Sequence, residues 1–319
     1  MDNRGHDGAQ AQFRLDWVDV ARGLGIIAVV VGHVWTRGPV RDAMYSFHMP
    51  LFFLLSGLLS RPQAVGPFTR RQIFGQMRPY AIFLIALILI DQVVEPLKGG
   101  RPIFHQWPED MVLILLGGFW LRGPYTIFWF VPCLMLARII FNLLLVRWPD
   151  VMDRRWMVAL LPVLLLAYAL GRWTQASPLG LLTVPMALIL LWVGAAWPRV
   201  RWRNGMIAPL ALLALAGLGG FVPTLNMKAG DYGWPLLSIG AAVATSFLLF
   251  RLSALIVPYA APVAALGRAS LVIMYVHVAI IHYGSPYLGR FWLLALALLV
   301  PWALHALIRR SPAATRLFL

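Results

Sequence analysis

Long apolar runs separated by short polar breaks dominate the chain. They predict helices near 18–35, 44–60, 79–95, 125–146, 156–171, 178–196, 206–222, 234–250, 270–283 and 291–308. A hydrocarbon core of about 30 Å takes roughly 20 residues of helix, and most of these runs come close to that. The runs are rich in Leu, Ala and Ile and do not alternate with period two, so helices rather than a β-barrel are expected to span. An eleventh run, MVLILLGGFW at 111–120, is too short for an ordinary span and contains Gly117-Gly118. It is expected to lie at the interface or to re-enter.

Composition agrees with this class. Of 319 residues, 61% are apolar and 12% charged. A mean hydropathy of +0.76 is far from that of a soluble domain. The net charge of +15 does not mark a nucleic-acid binder, because the basic residues fall in short clusters between apolar runs. With ten spans and the amino terminus inside, 17 Lys and Arg residues lie on the cytoplasmic side and 8 outside. Letting 111–120 span as well would put 11 of the downstream basic residues outside and 4 inside, against the positive-inside bias. The expected architecture is therefore all-α, a polytopic bundle of about ten transmembrane helices with both termini cytoplasmic. Residues 1–13 form a polar tail, 14–310 the membrane domain and 311–319 a second tail. An uncleaved first helix is expected, since no short apolar run with a small-residue cleavage site follows the tail. The single cysteine, Cys133, excludes an intrachain disulfide and a cysteine-rich metal site, and no metal is expected.

The first helix carries the chemistry. In DVARGLGIIAVVVGHVW, residues 19–35, Asp19 and Arg22 are three apart and neighbours on a helix surface. His33 lies eleven residues beyond Arg22, three turns plus about 20°, so all three share one stripe. Ionisable groups are costly in hydrocarbon and usually mark a site or a pathway. The plainer alternative is an interfacial ion pair and a packed, hydrogen-bonded histidine. Gly23, Gly25 and Gly32 allow other backbones to approach this helix closely. A second polar cluster, YSFHMPLFFLLSG at 45–57, places His48 and Ser56 at opposite ends of the next helix.

These two stretches resemble the membrane acyltransferase-3 family. Asp19-x-x-Arg22-Gly23 followed by Gly32-His33 looks like its opening motif. The stretch SFHMPLFFLLSG is similar to its second-helix motif, especially in the fucose 4-O-acetylase-like branch. Looser matches follow in order: RPY at 78–80, FWFVPCLMLAR at 128–138 with Trp129 and Arg138, and SLVIMYVH at 270–277 with Tyr275 and His277. The resemblance implies a ten-helix integral membrane enzyme that transfers an acyl group, usually acetyl from acetyl-CoA, to a carbohydrate hydroxyl, and the leading reading places it in the inner membrane. His33 matches the family's essential histidine and Arg22 its essential basic residue. Many members show Arg-x-x-Arg at the cytoplasmic side of the third helix; this chain has Arg70-Arg71 and then Arg78.

The chemistry suits these residues. A neutral histidine is a suitable base for a hydroxyl attacking a thioester. Asp19 lies about 20 Å along the helix from His33 and is therefore assigned to Arg22; His277 is a candidate partner for His33. Arg70, Arg71 and Arg78 are candidates for the phosphates of acyl-CoA, because guanidinium binds phosphate bidentately. His48, Ser56, Trp129, Arg138, Tyr275 and His277 are candidates for the acceptor or supporting shell. The expected partners are acyl-CoA as co-substrate with no permanently bound cofactor, a carbohydrate acceptor and the lipid bilayer, with no nucleic acid; a homo-oligomer stays open. The rival reading is a proton-coupled transporter or flippase of a small or lipid-linked substrate.

Overall fold

A computed structural model of the chain describes residues 3–200 and 204–319, with side chains over 16–200 and 205–319. Arg201 and Arg203, and the side chains of Arg4 and Arg14, lie outside the described residues. Among the described residues the regular elements are helical, apart from one isolated bridge between Asn226 and Asp231. The α-helices are α1 (Asn3–Val34), α2 (Pro39–Tyr45), α3 (His48–Leu58), α4 (Val65–Leu97), α5 (Glu109–Leu116), α6 (Phe130–Arg147) and α7 (Arg154–Trp173). They continue as α8 (Val184–Ala196), α9 (Ile207–Leu218), α10 (Leu237–Ile256), α11 (Ala261–Arg268), α12 (Ser270–Gly284), α13 (Arg290–Ile308) and α14 (Pro312–Phe318).

Every one of the ten predicted runs falls on a helix, but the boundaries shift. Helix α1 begins at Asn3 rather than near residue 18, and α4 begins at Val65 rather than near 79. Hydropathy marks where a helix turns apolar, not where its backbone hydrogen bonds begin. Arg70, Arg71 and Arg78 therefore sit within the first four turns of α4 and not in a loop. The run at 178–196 opens as a 3-10 segment, Pro178–Thr183, in which Leu179 and Gly180 take positive φ, and only then becomes α8. The 111–120 run gives the eight-residue α5 and a short 3-10 turn, about 12 Å of α-helix.

Seven helical segments among the described residues are long and apolar enough to cross a membrane: 16–34, 65–97, 123–147, 154–173, 178–199, 237–259 and 290–308. The number is eight if α11 and α12, bent by 81° at their junction, count as one span. Helices α3 and α9, at 11 and 12 residues, rise only about 16 and 18 Å.

Helix α1 is the hub. It touches α2, α3, α10, α11, α12 and α13, and 61% of its apolar window is buried, against 17% for α7 on the lipid-facing side. Close backbone crossings fix this hub. A Cβ on Gly267 of α11 would lie 1.8 Å from the Asp19 carbonyl oxygen, and one on Gly23 2.1 Å from that of Val263. Only glycine at both positions lets α1 and α11 meet backbone to backbone. The pair Gly57 and Gly194 does the same for α3 and α8, where added Cβ atoms would sit 1.9 and 2.0 Å from the carbonyl oxygens of Leu191 and Leu54. At the far end of α4, buried Asp91 accepts hydrogen bonds from the Ile103 N–H (2.8 Å) and the Tyr283 hydroxyl (2.7 Å), tying the segment after α4 to α12.

Candidate active site

A cavity of about 480 Å³ opens between α1, α3, α4, α6 and the α11–α12 bend. Its volume is in the range of small-molecule sites. Arg22, Ile26 and Val29 of α1 form one wall. Their spacing continues the Arg22–His33 stripe, and His33 stands one turn, about 6 Å, beyond Val29. Helix α3 adds Met49, Phe52 and Ser56, α4 adds Arg71, Gln72 and Gln76, and α6 adds Phe130 and Arg138. The bend brings in Arg268, Ser270 and Met274.

The cavity is strongly polarised. Arg22, Arg71, Arg138 and Arg268 line it, and none of its lining residues is Asp or Glu. The nearest counter-charge is Asp19, whose two carboxylate oxygens lie 3.6 Å from Arg22 and 3.6 Å from Arg268. Arg71 donates to Gln63 Oε1, and Gln63 is held to α6 by two 3.0 Å bonds with Asn142. Arg138 stacks near Phe68, and its Nε is buried without a partner. A buried guanidinium with an unused donor is costly unless a ligand supplies the acceptor. The rest of the lining is apolar, Ile26, Val29 and Met274 among it, apart from Ser56, Gln72, Gln76 and Ser270. The cavity thus joins a group of four arginines to apolar side chains of α1, α3, α6 and α12.

Beyond Val29 lies a histidine cluster. The rings of His33 and His277 meet edge to face at 5.2 Å, Tyr45 lies 6.2 Å from His33, and Tyr45 contacts His48 at 4.7 Å. His48 Nδ1 is 2.7 Å from the Met44 carbonyl, and His277 Nδ1 is 2.7 Å from the Ile273 carbonyl. A carbonyl only accepts, so Nδ1 carries the hydrogen in both rings and Nε2 keeps the lone pair. Among the described residues no hydrogen bond holds the His33 ring, and it remains partly accessible although the bundle encloses it. His33 is the histidine of the three left free to meet a substrate.

On the far side, the 223–233 segment covers the cluster with Lys228. Its Nζ donates to the Leu121 carbonyl and to Thr126 Oγ1, each at 2.8 Å. Burial, reinforced by Arg122, holds its pKa down at about 8. Lys228 and Arg41 lie close enough to His33 for their charges to act on its ring.

The remaining sequence candidates separate. Arg70 and Arg78 do not enter the cavity: with Arg71 and exposed Phe74 they line a second, open groove of about 690 Å³ on another face of α4. Tyr275 is fully buried between Phe83 and Phe128. Two residues of helix turn the chain by about 200°, so Tyr275 faces α4 while His277 faces α1. Trp129 is buried too, against Phe130 and the 3-10 segment before α8. The polar cavity residues that the motifs did not single out are Arg268, Gln72 and Gln76. Among the described residues no cluster of His, Cys, Asp or Glu is arranged to hold a metal.

An acyltransferase domain model matches residues 15–307, the hub helix and the cavity included. The chain belongs to the acyltransferase-3 family. No curated protein and no solved structure matches it. Membership makes the chain an acyltransferase, and the apolar helices make it a multi-pass membrane protein.

Proposed function

We propose that this acyltransferase takes an acyl group, acetyl foremost, from acyl-CoA on the cytoplasmic side of the inner membrane. It passes the group to a hydroxyl of a carbohydrate, in a surface or exported glycan or its lipid-linked precursor. One observation carries the reading: a cavity lined by four arginines extends along α1 from Arg22 to Val29, one turn short of the free His33. That lining suits a ligand with a polyanionic head and a thin uncharged arm. The phosphates of acyl-CoA meet Arg22, Arg71, Arg138 and Arg268, and the arm runs past Ile26 and Val29 toward His33.

The chemistry then needs few groups. The acceptor hydroxyl attacks the thioester carbonyl while His33 takes its proton. The tetrahedral adduct collapses, the C–S bond breaks, and the imidazolium returns the proton to the thiolate. Lys228 lies near enough to offset negative charge developing beside His33. The acceptor approaches from the side of the 223–233 segment.

In this reading the bundle crosses ten times, with α3 and α9 as short crossings, and both termini are cytoplasmic. Exposed Trp173, Phe221, Trp234, Phe291 and Trp292 support it. All five fall at or near helix ends on the outer side of that topology, as strongly exposed Tyr259 does on the inner side, and aromatic residues gather at both interfaces. The test is direct. Purified protein with acetyl-CoA should release free CoA only when a glycan acceptor is added, and the acceptor should gain one acetyl group per CoA. CoA release without dependence on any acceptor, or none at all, counts against the reading.

A further inference from the structure

His277 holds an unused lone pair in a sealed place. The residue is fully buried, its Nδ1–H is committed to the Ile273 carbonyl, and its Nε2 has no hydrogen-bond partner. An unsatisfied buried acceptor is destabilising, and such a group in a native fold calls for a reason. The neighbour that could satisfy it is His33, whose ring centroid is 5.2 Å away and tilted by 65°. At that separation, rotation of the His33 ring brings one of its N–H groups into hydrogen-bonding range of His277 Nε2. Tyr45 on the other side of His33 meets it ring to ring, and its own polar contact is with Arg41. Asp19 lies about four turns away on the same helix.

We propose that His277 is the positioning residue for His33: it accepts the His33 N–H and leaves the opposite nitrogen of His33 as the base. This rests on the reading of His33 as the base. The arrangement has two fixed points. The Ile273 carbonyl sets the tautomer of His277, and His277 then sets the tautomer of His33. A carboxylate in the same place would favour a charged imidazolium, whereas a neutral imidazole orients the ring without adding charge to an apolar interior. Helix α12 supplies this group at the turn that faces α1, and the α11–α12 bend delivers Arg268 to the cavity. One segment thereby supports both ends of the site.

Two substitutions separate this role from a structural one. His277→Gln places an amide where Nε2 was, and His277→Asn places one where Nδ1 was, keeping the bond to Ile273. The probe is diethyl pyrocarbonate, which acylates an imidazole nitrogen bearing a lone pair. The readout is its rate at His33, followed by peptide mass spectrometry on the full-length protein in lipid nanodiscs at pH 7. Positioning predicts near-wild-type reactivity of His33 in His277→Gln. It predicts a loss of roughly tenfold in His277→Asn, the scale of one hydrogen bond. If the Ile273 bond alone matters, the order reverses, and equal rates in all three proteins also overturn the proposal. Absence of any His33 modification in the wild-type protein is a different failure: it contradicts His33 as an accessible base, and the inference falls with that reading.

Discussion

Asp19 and Arg268, 249 positions apart in the chain, face each other at 3.6 Å across the α1–α11 crossing, and Asp19 holds Arg22 at the same distance. One carboxylate thus sets two guanidiniums of the cavity lining. Both arginine side chains remain nearly half exposed, so each pair adds little to stability. The value of the arrangement lies in placement.

Changing Arg268 to Gln should therefore leave the melting temperature nearly unchanged and raise the apparent KM for acetyl-CoA. A lost charged contact of about 1.5–3 kcal/mol corresponds to roughly ten- to over a hundredfold. Arg71→Gln and Arg138→Gln should behave alike. Arg70→Gln and Arg78→Gln, which face the separate groove, should shift KM much less. Steady-state kinetics on the five variants checks the ranking.

Gly267→Ala should disrupt the hub. Its methyl would lie 1.8 Å from the Asp19 carbonyl oxygen, and backbone there cannot move without parting α1 from α11. The expected result is a cost of several kcal/mol, or failure to assemble, as for other overpacked cores. Gly75→Ala, on the cavity side of α4, meets nothing within 4 Å and should be silent. Thermal melts in detergent compare the two.

Much of this was legible in the chain. Spacing alone put Arg22 and His33 on one stripe, and Ile26 and Val29 of that stripe line the cavity. Hydropathy located all ten helical runs. Arg268 was legible only as a topology charge, because its role depends on an 81° bend and on the Gly23–Gly267 approach, which link residues far apart in sequence. Arg70 and Arg71 look equivalent as neighbours in sequence. A step of about 100° around α4 sends one to the open groove alone and leaves the other lining both groove and cavity. His277 was legible as a candidate partner for His33, and the tertiary fold brings the two rings to 5.2 Å.

Lys228 gives a pH-dependent signature. Its pKa of about 8 lies below the ordinary 10.5, because burial penalises the charged amine. A depressed amine pKa means that the folded protein releases this proton before the unfolded chain does. The stability cost of the buried charge is therefore constant below about pH 8 and is relieved as pH rises toward 10.5. Acetic anhydride labelling of Lys228 should accordingly rise through a midpoint near 8. Lys98 is the only other lysine in the chain, so mass spectrometry separates the two sites. A midpoint near 10.5 contradicts the burial argument.

Topology is open to cysteine labelling, since the native Cys133 is buried. Gly66 has open space around it and Phe221 is strongly exposed. With ten crossings, Phe221→Cys should react with a membrane-impermeant maleimide on intact cells, whereas Gly66→Cys should react only after lysis. Equal labelling from outside contradicts the orientation.

The central claim is that His33 is the base beside the cavity. The measurement that tests it most directly is the turnover of His33→Gln under saturating acetyl-CoA and acceptor, with acetyl-CoA binding measured on the same preparation. Glutamine keeps a hydrogen-bonding side chain but cannot take the proton. The account predicts unchanged acetyl-CoA binding and a fall in turnover of about a hundred- to ten-thousandfold, the usual contribution of a general base. Turnover close to that of the wild-type protein would contradict it.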